Sequence, residues 1–252
     1  MKKHIPNILT LLNLTCGCCA VIMALWGLYL GAFLFILGSV VFDFLDGFSA
    51  RLLKVYSDIG KELDSLADLV SFGLAPSLIL FQWYYESGHQ YTFPAFVPLI
   101  ITAFSALRLA KFNIDTRQES DFIGLATPAN AMIIAPMAAY ADICRLNGSS
   151  SFVNLLLDSG WFIPTISIIL ALLLISEIPM FSLKKKRVSF SKAPLFSSFI
   201  VIAIIVLILG MIFIPHTGSV LETLPLIISV IFTLYVLINI FANIFRIARK
   251  ES

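Results

Sequence analysis

The chain has 252 residues, 59% of them hydrophobic and 13% charged, with a net charge of +2 and a mean hydropathy of +0.96. Soluble domains run nearer half apolar and a quarter charged, so the composition excludes a soluble globular protein and points to an integral membrane one. A spanning helix needs about 20 apolar residues, and the apolar runs predict eight: roughly 6–28, 30–53, 63–86, 92–114, 127–145, 161–181, 194–214 and 223–246. No segment between them is long enough to bury a core of its own. The expected fold class is therefore all-α, a polytopic membrane helix bundle forming one integral domain over residues 1–252.

In chain order, the first run leads straight into a second hydrophobic helix, so it reads as a retained span and not a cleaved signal peptide. Cys16, Cys18 and Cys19 lie within it as C-x-C-C, with no paired C-x-x-C and no adjacent histidine. They are read as small residues in helix packing and not as metal ligands. With alternating helices and the N-terminus inside, the cytosolic side receives Lys2, Lys3, Arg51, Lys54, Lys61, Arg108, Lys111, Arg117, the basic run at 184–187, Lys192, Arg246, Arg249 and Lys250. Only Arg145 falls outside. That bias places both termini in the cytosol. The run "SLKKKRVSFSK" is accordingly a topology anchor, and no nucleic-acid partner is expected. Intramembrane polar residues concentrate before about residue 130, whereas the last three spans are almost entirely Leu, Ile, Val and Phe, with Glu177, Pro179 and Asn239 as exceptions. Any chemistry is thus expected in residues 1–146, with 147–252 adding scaffold or interface helices, and a homodimer is the expected assembly.

The second span carries "DFLDGFSAR" and continues into "LLKVYSDIGKELDSLAD". Asp43, Asp46, Gly47 and Ala50 recur at i, i+3, i+4 and i+7, one face of a helix. Gly60, Asp64 and Asp68 recur at i, i+4 and i+8, also one face. A short turn makes the two helices antiparallel neighbours, so four carboxylates converge near one membrane surface. A charge at mid-bilayer costs about 2.5–3.5 kcal/mol on insertion scales, and Arg51 alone cannot neutralise four acids. An all-oxygen cluster suits hard divalent cations, Mg²⁺ or Mn²⁺, two of which match the charge count. Gly47, Ala50 and Gly60 leave bare backbone against which a nucleotide can lie. Further on, Arg108 and Lys111 are i, i+3 neighbours followed by Asn113. They form either a pair of snorkelling anchors or a cationic pocket for an acceptor carboxylate or lipid phosphate.

The spacing D-x2-D-G-x2-A-R-x8-G-x3-D-x3-D, matched at all eight specified positions from Asp43 to Asp68, resembles the signature of the CDP-alcohol phosphotransferase family. "IPNILTLLNLTCG" (5–17), "ELDSLADLVSFGLAPS" (62–77), "RLAKFN" (108–113) and "GLATPANA" (124–131) are similar to its branch of bacterial CDP-diacylglycerol–serine O-phosphatidyltransferases. Two positions depart from that branch: Lys111 stands where Arg is usual and Ala126 where Pro is usual. The resemblance implies transfer of a phosphatidyl group from CDP-diacylglycerol to the hydroxyl of L-serine, giving phosphatidylserine and CMP in phospholipid biosynthesis. It implies Asp43, Asp46, Asp64 and Asp68 as ligands of Mg²⁺ or Mn²⁺, with Asp68 also the catalytic base. Gly47, Ala50, Arg51 and Gly60 would line the nucleotide, with Asn7 and Thr10 beside them. It also implies a multi-pass protein of a bacterial cytoplasmic membrane, among membrane lipids, with its active site facing the cytosol. Two alternatives stand beside it: a sister enzyme using glycerol 3-phosphate or inositol phosphate, and an ion-coupled transporter. Clustering of the acids at one membrane face, not along a path, argues against the transporter.

Overall fold

The computed structural model describes residues 4–55, 57–90, 92–115, 122–180, 194–213 and 220–251. Lys2, Lys3, Arg117, the basic run at 184–187, Lys192 and His216 lie outside the described residues. The described chain is almost all helix: α1 (Ile5–Leu25), α2 (Tyr29–Leu53), α3 (Asp58–Asp68), α4 (Ala75–Glu86), α5 (Ile100–Ile114), α6 (Thr127–Leu146), α7 (Phe152–Asp158), α8 (Phe162–Ile175), α9 (Pro194–Phe213) and α10 (Val220–Glu251). A π-helical stretch, Leu69–Leu74, joins α3 to α4, and a 3₁₀ segment, Phe93–Leu99, leads into α5.

Among the described residues, five helical segments are long and apolar enough to cross a membrane: Ile5–Leu25, Tyr29–Leu53, Asp58–Glu86, Phe93–Ile114 and Glu222–Ile244. A sixth results if α7 and α8, bent by 88° at their junction, count as one span. The spans expected at 127–145 and 194–214 correspond to α6 and α9. Of α9 the segment Phe199–Gly210 is apolar but short, and α6 is an interior helix, buried along most of its length.

The bundle is organised by small residues. Pro6, Thr10, Asn13, Gly17, Ala20 and Ala24 recur at helical spacing along the buried face of α1, which packs mainly on α2. In α6 the buried positions include Ala129, Ala131, Ala135, Ala138, Ala139 and Ala141, letting α2, α4 and α10 approach its backbone closely. Large apolar side chains such as Leu34, Phe44, Phe48 and Ile168 point outward, as expected where lipid, not water, is the surrounding medium. A two-residue antiparallel pairing, Phe122↔Met180 and Ile123↔Pro179, fastens the start of α6 to the segment after α8. Gly124 makes this possible: at φ +76° a Cβ there would lie 2.8 Å from the carbonyl oxygens of Leu174 and Ser176.

Candidate active site

The site is assembled where α2 ends and α3 begins. Lys54 closes α2 in the left-handed conformation (φ 52°, ψ 41°), the usual way a helix stops and turns. Ser57 then caps α3, its Oγ accepting the Gly60 N–H at 3.0 Å. This short turn folds the 43–51 face of α2 back beside the 60–68 face of α3, and α1 packs across both.

Asp43, Asp64 and Asp68 each present a carboxylate oxygen within 4.8 Å of the other two. Oxygens on opposite sides of one Mg²⁺ are about 4.2 Å apart, at roughly 2.1 Å per bond. The observed spacing therefore needs only slight closure to share an ion, and oxygen-only donors suit Mg²⁺ or Mn²⁺. Asp46 sits apart from this trio. It is buried and accepts a 2.8 Å hydrogen bond from Thr10 Oγ1, and with Asp64 it lines a neighbouring cavity of about 450 Å³. Gly47, Ala50, Gly60 and Lys61 line the same cavity. A Cβ at Gly47 would meet nothing nearer than Arg51 Nη2, at 4.0 Å, so the missing side chain leaves open space. Gly60 is different: a Cβ there would press on Ser57 Oγ at 2.9 Å and on Asn7 Oδ1 at 3.1 Å. Thr10, Gly47, Ala50 and Gly60 thus line one space beside the carboxylates, with Arg51 next to Gly47 and Asn7 next to Gly60.

A second layer holds Asp68. Asn13 Nδ2 donates to Asp68 Oδ1 at 3.2 Å. Ser71 Oγ lies 2.8 Å from Asn13 Oδ1, and it also approaches the Asn13 carbonyl at 3.1 Å, as does Ser39 Oγ. With its Oδ1 accepting from Ser71, the Asn13 amide is fixed with its N–H₂ toward Asp68. All of these groups are buried. Ser71 can reach α1 because a Cβ at Gly17 would fall 2.3 Å from Ser71 Oγ. Asn13 and Ser71 are among the intramembrane polar residues of the first half of the sequence, but spacing gives them no role beside the acids. For Asn13 the further signal lies in the stripe itself, where Thr10 and Asn13 are polar residues on an otherwise small, buried face of α1.

The expected acceptor residues part company. Arg108 is buried, its Nε without a hydrogen-bond partner among the described residues, and it stands close enough to Asp68 and Tyr235 to feel both electrostatically. Its guanidinium lies 5.8 Å from the Phe112 ring centroid. Lys111 is exposed, one turn along. Asn113 instead ties helices together: its Nδ2 donates to Ser65 Oγ at 2.9 Å, and its carbonyl accepts from Lys61 Nζ at 2.7 Å.

With this geometry, comparison with known proteins is informative. The chain is 39% identical over 135 residues to the CDP-diacylglycerol–serine O-phosphatidyltransferase of Bacillus subtilis, covering 52% of this chain and 73% of that one. It is 33% identical over 174 residues to the enzyme of that name from Methanocaldococcus jannaschii, covering 69% and 72%. To the archaetidylserine synthase of Methanothermobacter thermautotrophicus it is 32% identical over 136 residues, covering 52% and 56%. Residues 3–172, from α1 through most of α8, match the CDP-alcohol phosphatidyltransferase family, and the chain belongs to that family.

Proposed function

We propose that the protein transfers the phosphatidyl group of CDP-diacylglycerol to L-serine, releasing CMP. The observation that carries the reading is the carboxylate trio with its adjoining open cavity, in a chain similar to enzymes named for this reaction. Asp43, Asp64 and Asp68 would hold a divalent cation, Mg²⁺ or Mn²⁺, with Asp46 completing the set toward a second. Bound there, such ions supply charge neutralisation at the pyrophosphate. The chain's own groups do the rest. The cavity between Thr10, Gly47, Ala50 and Gly60 receives the cytidine nucleotide, with Arg51 at its edge and Asn7 beside Gly60. Asp68, oriented by Asn13, accepts the proton of the serine hydroxyl. The serine oxygen bonds to the phosphorus bearing the diacylglycerol as the bond from that phosphorus to the CMP oxygen breaks. Arg108 and Lys111 face the acceptor carboxylate, or a lipid phosphate on its way to the site.

The same reading extends to setting. The Lys and Arg bias of the sequence supports a multi-pass protein of a bacterial cytoplasmic membrane, both termini and the site on the cytosolic side. CDP-diacylglycerol then keeps its tails in the leaflet while serine arrives from water. We take residues 1–146 as the catalytic core, 147–252 as additional helices, and a homodimer as the assembly. The test is CMP release by purified protein given CDP-diacylglycerol and, in turn, L-serine, glycerol 3-phosphate and inositol phosphate, with and without chelator. CMP release that requires serine and stops in EDTA is the expected result. Release driven by a phosphorylated acceptor, or undiminished activity in EDTA, overturns the reading.

A further inference from the structure

A second cavity, of about 340 Å³, opens between the C-terminal ends of α5 and α8. That is toward the small end of the range for small-molecule sites. Its walls differ in sign. Arg108 and Lys111 line the α5 side, while Ser176 and Glu177 line the side that follows α8, with Asp115 and Ile123 between. Arg108 is shared in effect with the first site, since its charge also acts on Asp68. The Lys61–Asn113 and Asn113–Ser65 hydrogen bonds hold this end of α5 against α3. The second cavity is therefore linked to the carboxylates through Arg108, which lines it and acts on Asp68.

Glu177 is held in place, although its own side chain is exposed. Ser176 ends α8 in extended conformation, with its Oγ on the Leu173 carbonyl at 2.9 Å. Beyond it, the Ile178 carbonyl accepts from Gly124 N–H at 3.0 Å, and Pro179 and Met180 pair with 122–123. The backbone is thus fixed on both sides of Glu177. Asp115 is already engaged within the chain, which leaves Glu177 as the carboxylate available to a ligand. On the α5 wall, Arg108 offers a buried guanidinium whose Nε has no hydrogen-bond partner among the described residues.

We infer that this cavity is the acceptor site, and that it selects a zwitterionic α-amino acid by seating the carboxylate on Arg108 and Lys111 and the ammonium on Glu177. The inference rests on the transferase reading and adds its specificity. A polyol phosphate presents two negative charges and no cation, so Glu177 repels it while offering nothing in return. A hydroxy acid without an amino group keeps the cationic wall but leaves Glu177 unpaired. Glu177 lies beyond the residues that match the family, which end at 172, so the chain's own later segment supplies the discrimination.

The test is titration calorimetry of the detergent-purified full chain with L-serine, 3-hydroxypropionate and ethanolamine, for wild type, Glu177→Gln and Glu177→Asp, alongside CMP release. Loss of one charged hydrogen bond corresponds to about tenfold or more in affinity. Glu177→Gln is expected to weaken L-serine about tenfold or more and to leave 3-hydroxypropionate binding as tight as in wild type or tighter, with Glu177→Asp in between for serine. The apparent KM for serine should rise in parallel while that for CDP-diacylglycerol stays near wild type. Wild-type serine affinity in Glu177→Gln, or equal weakening of 3-hydroxypropionate, overturns the inference. Absence of CMP release with any acceptor overturns the transferase reading separately, because the binding comparison does not depend on turnover.

Discussion

Single side chains decide whether the carboxylates form a usable site. Asp68 is one of the trio yet is held from behind by Asn13, and Asn13 by Ser71. A hydrogen bond to a charged group contributes about 1.5–3 kcal/mol, and each 1.4 kcal/mol is about tenfold in rate when it is lost only in the transition state. Asn13→Ala should therefore lower kcat by roughly 10- to 100-fold, with the KM for CDP-diacylglycerol little changed, because the nucleotide cavity does not touch Asn13. Ser71→Ala leaves the amide in place but frees it to rotate, and should give a smaller loss of the same kind. Steady-state kinetics checks both, and a rise in KM without loss of kcat would remove Asn13 from the positioning role. Gly47 makes the opposite case. A Cβ there meets only the far end of Arg51, at an unstrained 4.0 Å, so Gly47→Val should fold with a melting temperature near wild type. It would occupy the cavity, however, and should raise the KM for CDP-diacylglycerol about tenfold or more, the methyl groups displacing substrate surface.

Between elements, the π-helical stretch Leu69–Leu74 is what turns Ser71 toward α1 immediately after Asp68. Such π-turns are rare and gather at functional sites. This one is clasped by glycines: Gly17 on α1 lies against Ser71, and a Cβ at Gly73 would come 3.0 Å from the Ser105 Cβ on α5. At Gly17 the added methyl would also press on the Ser71 backbone, at 2.9–3.0 Å, which a side-chain rotation cannot relieve. Overpacking of this sort costs about 1–3 kcal/mol. Gly17→Ala should lower the thermal midpoint and also kcat, whereas Ala20→Gly, further along the same face, should touch stability alone. These contacts show where the sequence was legible. Fixed helical spacing put Asp43 beside Asp64 and Asp68, because periodicity is a local property. Long apolar runs gave α1, α2, α5 and the α3–α4 span in place. Spacing could not show that Asp46 turns to Thr10 while the other three converge, because that depends on how α1 crosses α2. Nor could it show that Asn113 bonds Ser65 or that Glu177 lines one cavity with Arg108, both long-range outcomes of packing. The span expected near 161–181 ends at Ile175 and is preceded by an 88° bend from α7, and the one near 63–86 carries a π-helical stretch within it; apolar composition is blind to either.

Across the whole bundle the two ends are chemically unlike. One end carries the acids, both cavities and Arg51, Lys54, Lys61, Arg108 and Lys111. At the other end, Arg145 pairs with Asp158 and stacks over Trp83 at 3.8 Å. Asp158 Oδ1 also accepts from Trp83 Nε1 and Ser87 Oγ, each at 2.9 Å. This cluster latches α4, α6 and α7. The ion pair is partly exposed and worth little alone, but with two further hydrogen bonds Asp158→Ala should destabilise the chain by about 2 kcal/mol, read as a lower thermal midpoint with metal dependence unchanged. The latch bears on orientation as well. Lys and Arg near span ends are retained on the cytosolic side, and Arg145, the exception in the sequence, is held by a carboxylate and an aromatic face at the opposite end. The acid-bearing end should therefore face the cytosol. Ile59 is 76% exposed at that end, and Ser150 is exposed at the other. In a chain whose four native cysteines are replaced by alanine, Ser150→Cys should react with a membrane-impermeant thiol reagent added to intact spheroplasts. Ile59→Cys should react only once the membrane is opened. The reverse pattern would turn the bundle over and put its carboxylates on the side away from cytosolic serine, a result no local rearrangement of the site could reconcile with the proposed reaction.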